Sequence, residues 1–205
     1  MRQISLSEEK LKGVIDTFVY LIGSIKNDAV RDGMEKMIEE IGDRLFEAPA
    51  SNKLEYHNCF VGGLAEHSLR VYGNLKALRD IFQPSLSDDS IILVALCHDL
   101  GKVGSIDAPY YVPNDSDWHK ENLGVYYNHN KNMSYLAVSQ RSLRLLNHFN
   151  VPLSDDEYKA ILICDGQYIQ ENKSYAHKEG WLGLLAHQAD MIACTMEHNK
   201  WESLQ

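Results

Sequence analysis

The stretch Ile91–Lys102, IILVALCHDLGK, constrains this chain more than any other part of it. The run from Ile91 to Cys97 is apolar throughout and leaves no polar face, so a helix over it must be enclosed on all sides. His98 and Asp99 follow at once, with Gly101 expected to end the helix and Lys102 bringing a positive charge beside the pair. Burying an imidazole and a carboxylate costs several kcal/mol unless each has a partner. A divalent cation is one partner that serves both side chains at once.

At 205 residues the chain is long enough for one well-buried core and too short for two comfortable domains, so a single domain over 1–205 is expected, with 1–50 as scaffold helices and 56–194 as the core. Its formal net charge of -9 argues against a broad nucleic-acid surface, which normally shows a basic stripe. A small anionic substrate remains compatible where a metal and a lysine concentrate positive charge. Cys59, Cys97, Cys164 and Cys194 never form CxxC and lie in or beside apolar runs. They read as small buried hydrophobes in a reducing, cytoplasmic setting, not as disulfides or a zinc knuckle. The first ten residues are polar and the apolar stretch behind them is broken by Asp16 and Lys26, so no signal peptide is expected. No apolar run approaches the roughly 20 residues that cross a bilayer, and no membrane partner is expected.

Ser5 or Ser7 can cap a first helix that carries Leu11, Ile15, Val19 and Ile22 to about Ile25. A second, Asp28 to Phe46, buries Val30, Met34, Met37, Ile41 and Leu45. After the loop Tyr56–Gly63, positions 64, 67, 71, 75 and 78 share one face of a third helix and turn His67 inward. An isolated inward histidine is more often a core residue than a ligand. Beside His98 and Asp99 on a second buried helix, a shared partner accounts for all three. Pro84 breaks the third helix, and Ser87, Asp88 and Asp89 start the fourth. Val103–Asn132 lacks helical periodicity, but alternation in PYYVPN and GVYYNHN predicts a hairpin around DSDWHKENL. Its tyrosines and Trp118 suit an ordered cover over the site, since long loops in compact domains tend to be functional. Further helices are expected from Ser134 to Phe149, from Ser154 to Cys164-Asp165-Gly166, and from about Gly180 to Glu197. Asp190 is the one acid in the apolar body of the last.

His67, His98, Asp99 and Asp190 together suit a borderline divalent cation such as Mn, Fe, Co, Ni or Zn, with Mg less partial to imidazole. Such an ion lowers the pKa of bound water and polarises a phosphoryl group. The pattern H…HD…D, with GGLAEHS around His67 and LCHDLGK around His98 and Asp99, resembles the HD superfamily of metal-dependent phosphohydrolases. The lead-in HNCFVGGLAEHS is similar to the HD module of bacterial 3′ to 5′ exoribonucleases and of uncharacterised bacterial and phage hydrolases. The resemblance covers about Tyr56 to Cys194. It implies an all-α HD-domain helical bundle with a long irregular or hairpin-containing cover loop, and His67, His98, Asp99 and Asp190 as metal ligands in that order.

By the same resemblance Asp99 also orients or deprotonates the attacking water, and Lys102 touches substrate phosphate. His57 matches a histidine of the exoribonuclease-like lead-in and is expected at the phosphate, with Arg70 assigned beside it on the substrate side. Arg70 and His187 each lie one turn from an expected ligand, which admits a role as that ligand's partner, though an ordinary helix-face residue is the favoured reading of each. Members holding two or three metals carry further histidines near the positions of Val138 and of Cys164-Asp165, where this chain has none. One divalent metal ion is therefore expected, and cyclic-dinucleotide hydrolysis is disfavoured. The resulting expectation is a phosphohydrolase that cleaves a phosphate ester of a nucleotide or other small molecule through a metal-bound water. The alternative is an HD module that binds metal or nucleotide as a sensor or scaffold and has little or no turnover.

Overall fold

The computed structural model describes residues 5–82, 85–167 and 169–204. Pro84, expected to break the third helix, lies outside them. Helix α1 spans Glu8–Gly23 from a Ser7 cap whose hydroxyl accepts from the Lys10 N–H, and α2 spans Asp28–Glu47 from an Asn27 cap that accepts from Ala29 and Val30. They are followed by α3 (Gly63–Phe82), α4 (Asp88–Cys97), a 3-10 turn at Leu100–Val103, β1 (Tyr111–Pro113), α5 (Asp117–Leu123) and β2 (Tyr127–His129). Helices α6 (Val138–His148), α7 (Asp155–Leu162) and α8 (Gly180–Glu202) complete the order, with a second 3-10 turn at Gln170–Tyr175. The fold is all-α, with one two-stranded sheet among the described residues.

Helix α4 is enclosed as its composition demands: no residue from Ile91 to Cys97 is more than 4% exposed. Helices α3, α7, α1 and α8 surround it, and α3 packs in turn along α8. Phe18, Met34, Met37, Leu64, Leu75 and Leu93 belong to one continuous apolar cluster. Removing each such side chain from water contributes about 1.5–3 kcal/mol, which offsets the ordering of the elements that carry the polar site.

Helix α4 stops earlier than expected. It closes at Cys97; His98 keeps helical dihedrals as the cap, and Asp99, at φ -105° and ψ 10°, leaves the helix. Gly101 lies inside the following 3-10 turn, so it does not end the helix. Its role is close approach to α6: a Cβ there would stand 2.1 Å from the Val138 carbonyl oxygen. The Gly101 N–H donates to Ser142 Oγ at 2.8 Å, and that hydroxyl lies within hydrogen-bonding reach of the carbonyls of His98 and Val138, both at 3.1 Å. Helix α6 thus takes over backbone groups that the end of α4 leaves unpaired.

The cover hairpin forms, pairing Tyr111 with His129, Val112 with Asn128 and Pro113 with Tyr127 in antiparallel register. Between its strands DWHKENL is a helix, not a loop, capped by Ser116 and closed by Gly124 at φ 65°. Helix α5 has no buried residue, so no apolar stripe announces it. Helix α6 begins at Val138, not Ser134, because Arg141 reaches back to the carbonyls of Ser134 and Leu136 and holds that segment in a non-helical approach. Helix α8 continues past Glu197 to Glu202.

Gly101→Ala forces a methyl group against backbone that no rotamer change relieves. A stability loss of about 1–3 kcal/mol or more is expected, read as a lower urea midpoint at unchanged slope.

Candidate metal centre

Helices α3 and α8 and the end of α4, with the residue that follows its cap, bring His67, His98, Asp99 and Asp190 to one point. The Nε2 atoms of His67 and His98 stand 3.3 Å apart. Asp190 Oδ1 lies 3.1 Å from the first and 3.8 Å from the second, and Asp99 Oδ2 lies 3.7 and 3.6 Å from them. His67 is fully buried and His98 and Asp99 nearly so, while Asp190 keeps a fifth of its side chain open.

The outer nitrogens of the two rings decide what the inner ones present. His98 Nδ1 is 2.9 Å from the Ala95 carbonyl, which only accepts, so Nδ1 carries the hydrogen. His67 Nδ1 faces both oxygens of Glu197 at 3.1 and 3.3 Å and must likewise donate. In their neutral forms both rings therefore aim lone pairs at each other and at two carboxylates. Such a set calls for positive charge between its members, supplied by a proton on His67 or by a divalent ion. Two ligand nitrogens about 2.0–2.1 Å from a common ion stand roughly 3.0–3.4 Å apart, so the observed 3.3 Å fits one coordination edge. Burial opposes a charged His67, but hydrogen bonds with Asp190 and Glu197 outweigh it and raise its pKa to about 10. Burial likewise disfavours ionised Asp190, yet the His67 hydrogen bond and nearby positive charge hold it well below the usual carboxylate range. A proton on His67 is thus the competitor that a divalent ion displaces.

A second group, His57, His67 and Cys194, also has donor atoms within 4.8 Å of one another. Burial and Asp190 push the Cys194 thiol far up, and its Sγ–H donates to Asp190 Oδ1 at 3.4 Å. A thiol held protonated is a poor ligand, so the His67, His98 and Asp190 set is the stronger one.

Lys102 Nζ donates to Asp99 Oδ2 at 2.5 Å and lies 3.4 Å from His57 Nε2. Burial works against both charges of the Lys102–Asp99 pair, but their attraction raises the lysine and, with His98, lowers the acid. His57 sits with its ring 4.9 Å from that of His67; burial, Lys102 and His67 push its pKa well below the usual histidine value.

Arg70, expected on the substrate side, instead stands behind His67. Its Nε donates to Glu197 Oε1 at 3.0 Å and its terminal nitrogen to Glu66 Oε1 at 3.1 Å, at the ring edge opposite Nε2. Its charge is consumed by the carboxylate that holds His67. His187 donates from Nδ1 to the Cys164 carbonyl at 2.8 Å and packs against Gly166, where a Cβ would fall 2.5 Å from the ring. Glu197 is the site residue that the sequence reading passes over. It is 2% exposed, and the available signal was its spacing of seven from Asp190, two turns along one helix face.

The 3′-5′ exoribonuclease YhaM of Bacillus pumilus is 30% identical over 96 residues, 47% of this chain and 30% of that protein. YhaM of Bacillus subtilis gives the same identity and shares, and YhaM of Listeria monocytogenes is 24% identical over 109 residues, 53% of this chain and 33% of its own. The similar proteins are exoribonucleases. The chain spans about a third of the length of these curated relatives. No family model matches, and no solved structure matches.

These relatives overturn the expectation of a small phosphorylated substrate and no nucleic-acid surface, since RNA is what an exoribonuclease acts on. The physical reason lies in what net charge measures. A total of -9 averages over the whole surface, whereas an enzyme that works from a chain end grips a few nucleotides at one place. The distant likeness supports a phosphodiesterase or exonuclease type of hydrolase, and no helix among the described residues is long and apolar enough to cross a membrane.

Glu197→Ala removes the acceptor that fixes the His67 ring. Affinity for Mn(II), titrated calorimetrically, is expected to fall about 10–100-fold, with Glu197→Gln retaining part of it through its amide oxygen.

Proposed function

We propose that this chain is an HD-type, metal-dependent phosphodiesterase that shortens RNA from its 3′ end. The observation that carries the reading is the convergence of two imidazole Nε2 atoms and two carboxylates beside a buried lysine. The distant similarity to exoribonucleases supports it independently. His67, His98, Asp99 and Asp190 would hold one divalent ion, with Mn, Fe, Co, Ni or Zn better matched to two imidazoles than Mg. When bound, that ion supplies Lewis acidity for the scissile phosphate and for its attacking water.

The remaining chemistry belongs to the side chains. Asp99, kept ionised, orients the attacking water and accepts its proton. Lys102, kept charged, binds a non-bridging phosphate oxygen and stabilises the charge that grows on it in the transition state. Neutral His57 accepts a hydrogen bond from the lysine ammonium and so limits the directions in which that ammonium can point. Glu197 and Arg70 keep the His67 ring in its tautomer and orientation.

The test is a short 5′-labelled RNA incubated with the protein and Mn(II), Co(II), Ni(II) or Mg(II), resolved nucleotide by nucleotide. Stepwise shortening from the 3′ end is expected with at least one of the imidazole-preferring ions. Asp99→Ala is expected to slow it at least about 100-fold and Lys102→Ala about 100- to 1,000-fold. Shortening that survives Asp99→Ala unchanged removes the assignment of the site.

A further inference from the structure

Beside the metal centre a cleft of about 510 Å³ opens between the hairpin and the segment that leads into α3. Its walls are mainly apolar and include Val61, Pro109, Pro113, Tyr111 and Tyr127, and Lys102 lies along it. Its size falls in the roughly 300–1,000 Å³ range of small-ligand sites. Lys102 joins the cleft to the centre through its bond to Asp99.

The hairpin register explains the lining. Tyr111 pairs with His129 and Pro113 with Tyr127, so these four share one face of the ribbon while Val112 and Asn128 take the other. Tyr111 stacks on His129 with centroids 5.4 Å apart and planes 27° apart, and its ring lies 6.3 Å from that of Tyr127. Burial pushes both tyrosine hydroxyls up; that of Tyr111 also senses Lys102 and Asp99, which locates it at the junction with the centre. Arg44, the other cation on the wall, is spent on the carbonyls of Ser105 and Ile106. Glu47 adds one exposed carboxylate to the wall away from the tyrosines, so the cleft offers aromatic contact on the hairpin side and uncommitted positive charge only where Lys102 meets the centre. That distribution suits an uncharged planar ring attached to a phosphate.

We propose that this cleft receives the terminal nucleobase of a single-stranded RNA by stacking on Tyr111 and Tyr127, and that it thereby selects unpaired ends with little regard to sequence. The proposal rests on the phosphodiesterase reading above for the position of the phosphate. Every base presents a π-face, and stacking on an aromatic side chain is worth about 1–3 kcal/mol per base, or about 5- to 150-fold in affinity. A paired base has both faces covered and cannot offer one without unstacking.

The experiment measures binding by fluorescence anisotropy with the Mn(II)-loaded protein. Its probes are a phosphorothioate-protected oligoadenylate, the same oligomer with an abasic 3′-terminal nucleotide, and a blunt duplex. Wild type is expected to prefer the intact single strand over both others by at least about 5-fold. Tyr111→Leu and Tyr127→Leu are expected to abolish that preference, Tyr111→Phe to keep it, and Tyr135→Ala, at a residue 93% exposed outside the cleft, to keep it as well. Equal wild-type affinity for intact and abasic strands overturns the proposal, and this comparison stands even where a leucine variant fails to fold. A preference that survives both leucine variants overturns it too. Base-dependent binding without shortening of unprotected RNA would sink the hydrolase reading and leave the cleft assignment in place; shortening with no base-dependent binding would do the reverse.

Discussion

Two imidazole nitrogens held 3.3 Å apart, each with its hydrogen committed to the far side of the ring, are the constraint around which the molecule is arranged. With both rings neutral the arrangement is unfavourable by itself, because electron pairs would face electron pairs where water is largely excluded, and a proton on His67 or a divalent ion relieves it. It persists because both rings are fixed from outside, one by a backbone carbonyl within α4 and the other by a carboxylate from α8. The apolar packing of α4 carries that load. An enclosed helix with no residue more than 4% exposed cannot rotate to relieve the contact, so the positions of His98 and Asp99 follow from the burial of Ile91–Cys97.

Around this centre the charges alternate outward. The lone pairs of His67 and His98 call for a cation, the outer edge of His67 meets Glu197, Glu197 meets Arg70, and Arg70 meets Glu66. Glu66 in turn accepts from the Asn58 amide at 2.7 Å and lies 3.7 Å from Lys200. In this chain of contacts the carboxylate of Glu197, 2% exposed, has both an arginine and an imidazole as partners, which offsets the cost of its burial. On the open side Lys102 plays the corresponding part for Asp99. The supporting side of the centre is thus saturated by Glu197, Arg70 and Glu66, whereas the other side is lined by His57 and Lys102.

The cover region links the chemistry to its access. A two-stranded ribbon is marginal alone, and here it is tied down by hydrogen bonds from Leu54 to Gly124, from Tyr126 to Asn52 and from Asn114 to Val125. Those ties hold one face of tyrosines against the cleft and leave α5 outside as a polar spacer. The same ribbon supplies one wall of the cleft that Lys102 borders.

Several features were legible along the chain because they are local. The apolar run before His98 required an enclosed helix, the spacing from Leu64 to Leu78 turned His67 inward, Ser87 and Ser154 began helices where their side chains can cap, and alternation in two tyrosine-rich strands foretold the ribbon. Other features depend on what lies opposite in space. Helix α4 ends at Cys97 because α6 approaches Gly101, Arg70 pairs with Glu197 because that carboxylate stands behind His67, and Glu197 itself looked like an ordinary acid near a helix end. Net charge argued against a broad nucleic-acid surface, which the likeness to exoribonucleases contradicts, since a sum over 205 residues does not report the field in one cleft. The sequence by itself determined which residues must be buried and which of those are polar enough to need a partner, because periodicity and burial are properties of each segment. Only the tertiary structure decided which partner each one has, because hydrogen bonds and ion pairs form between atoms a few ångströms apart that are separated by as many as 130 positions along the chain.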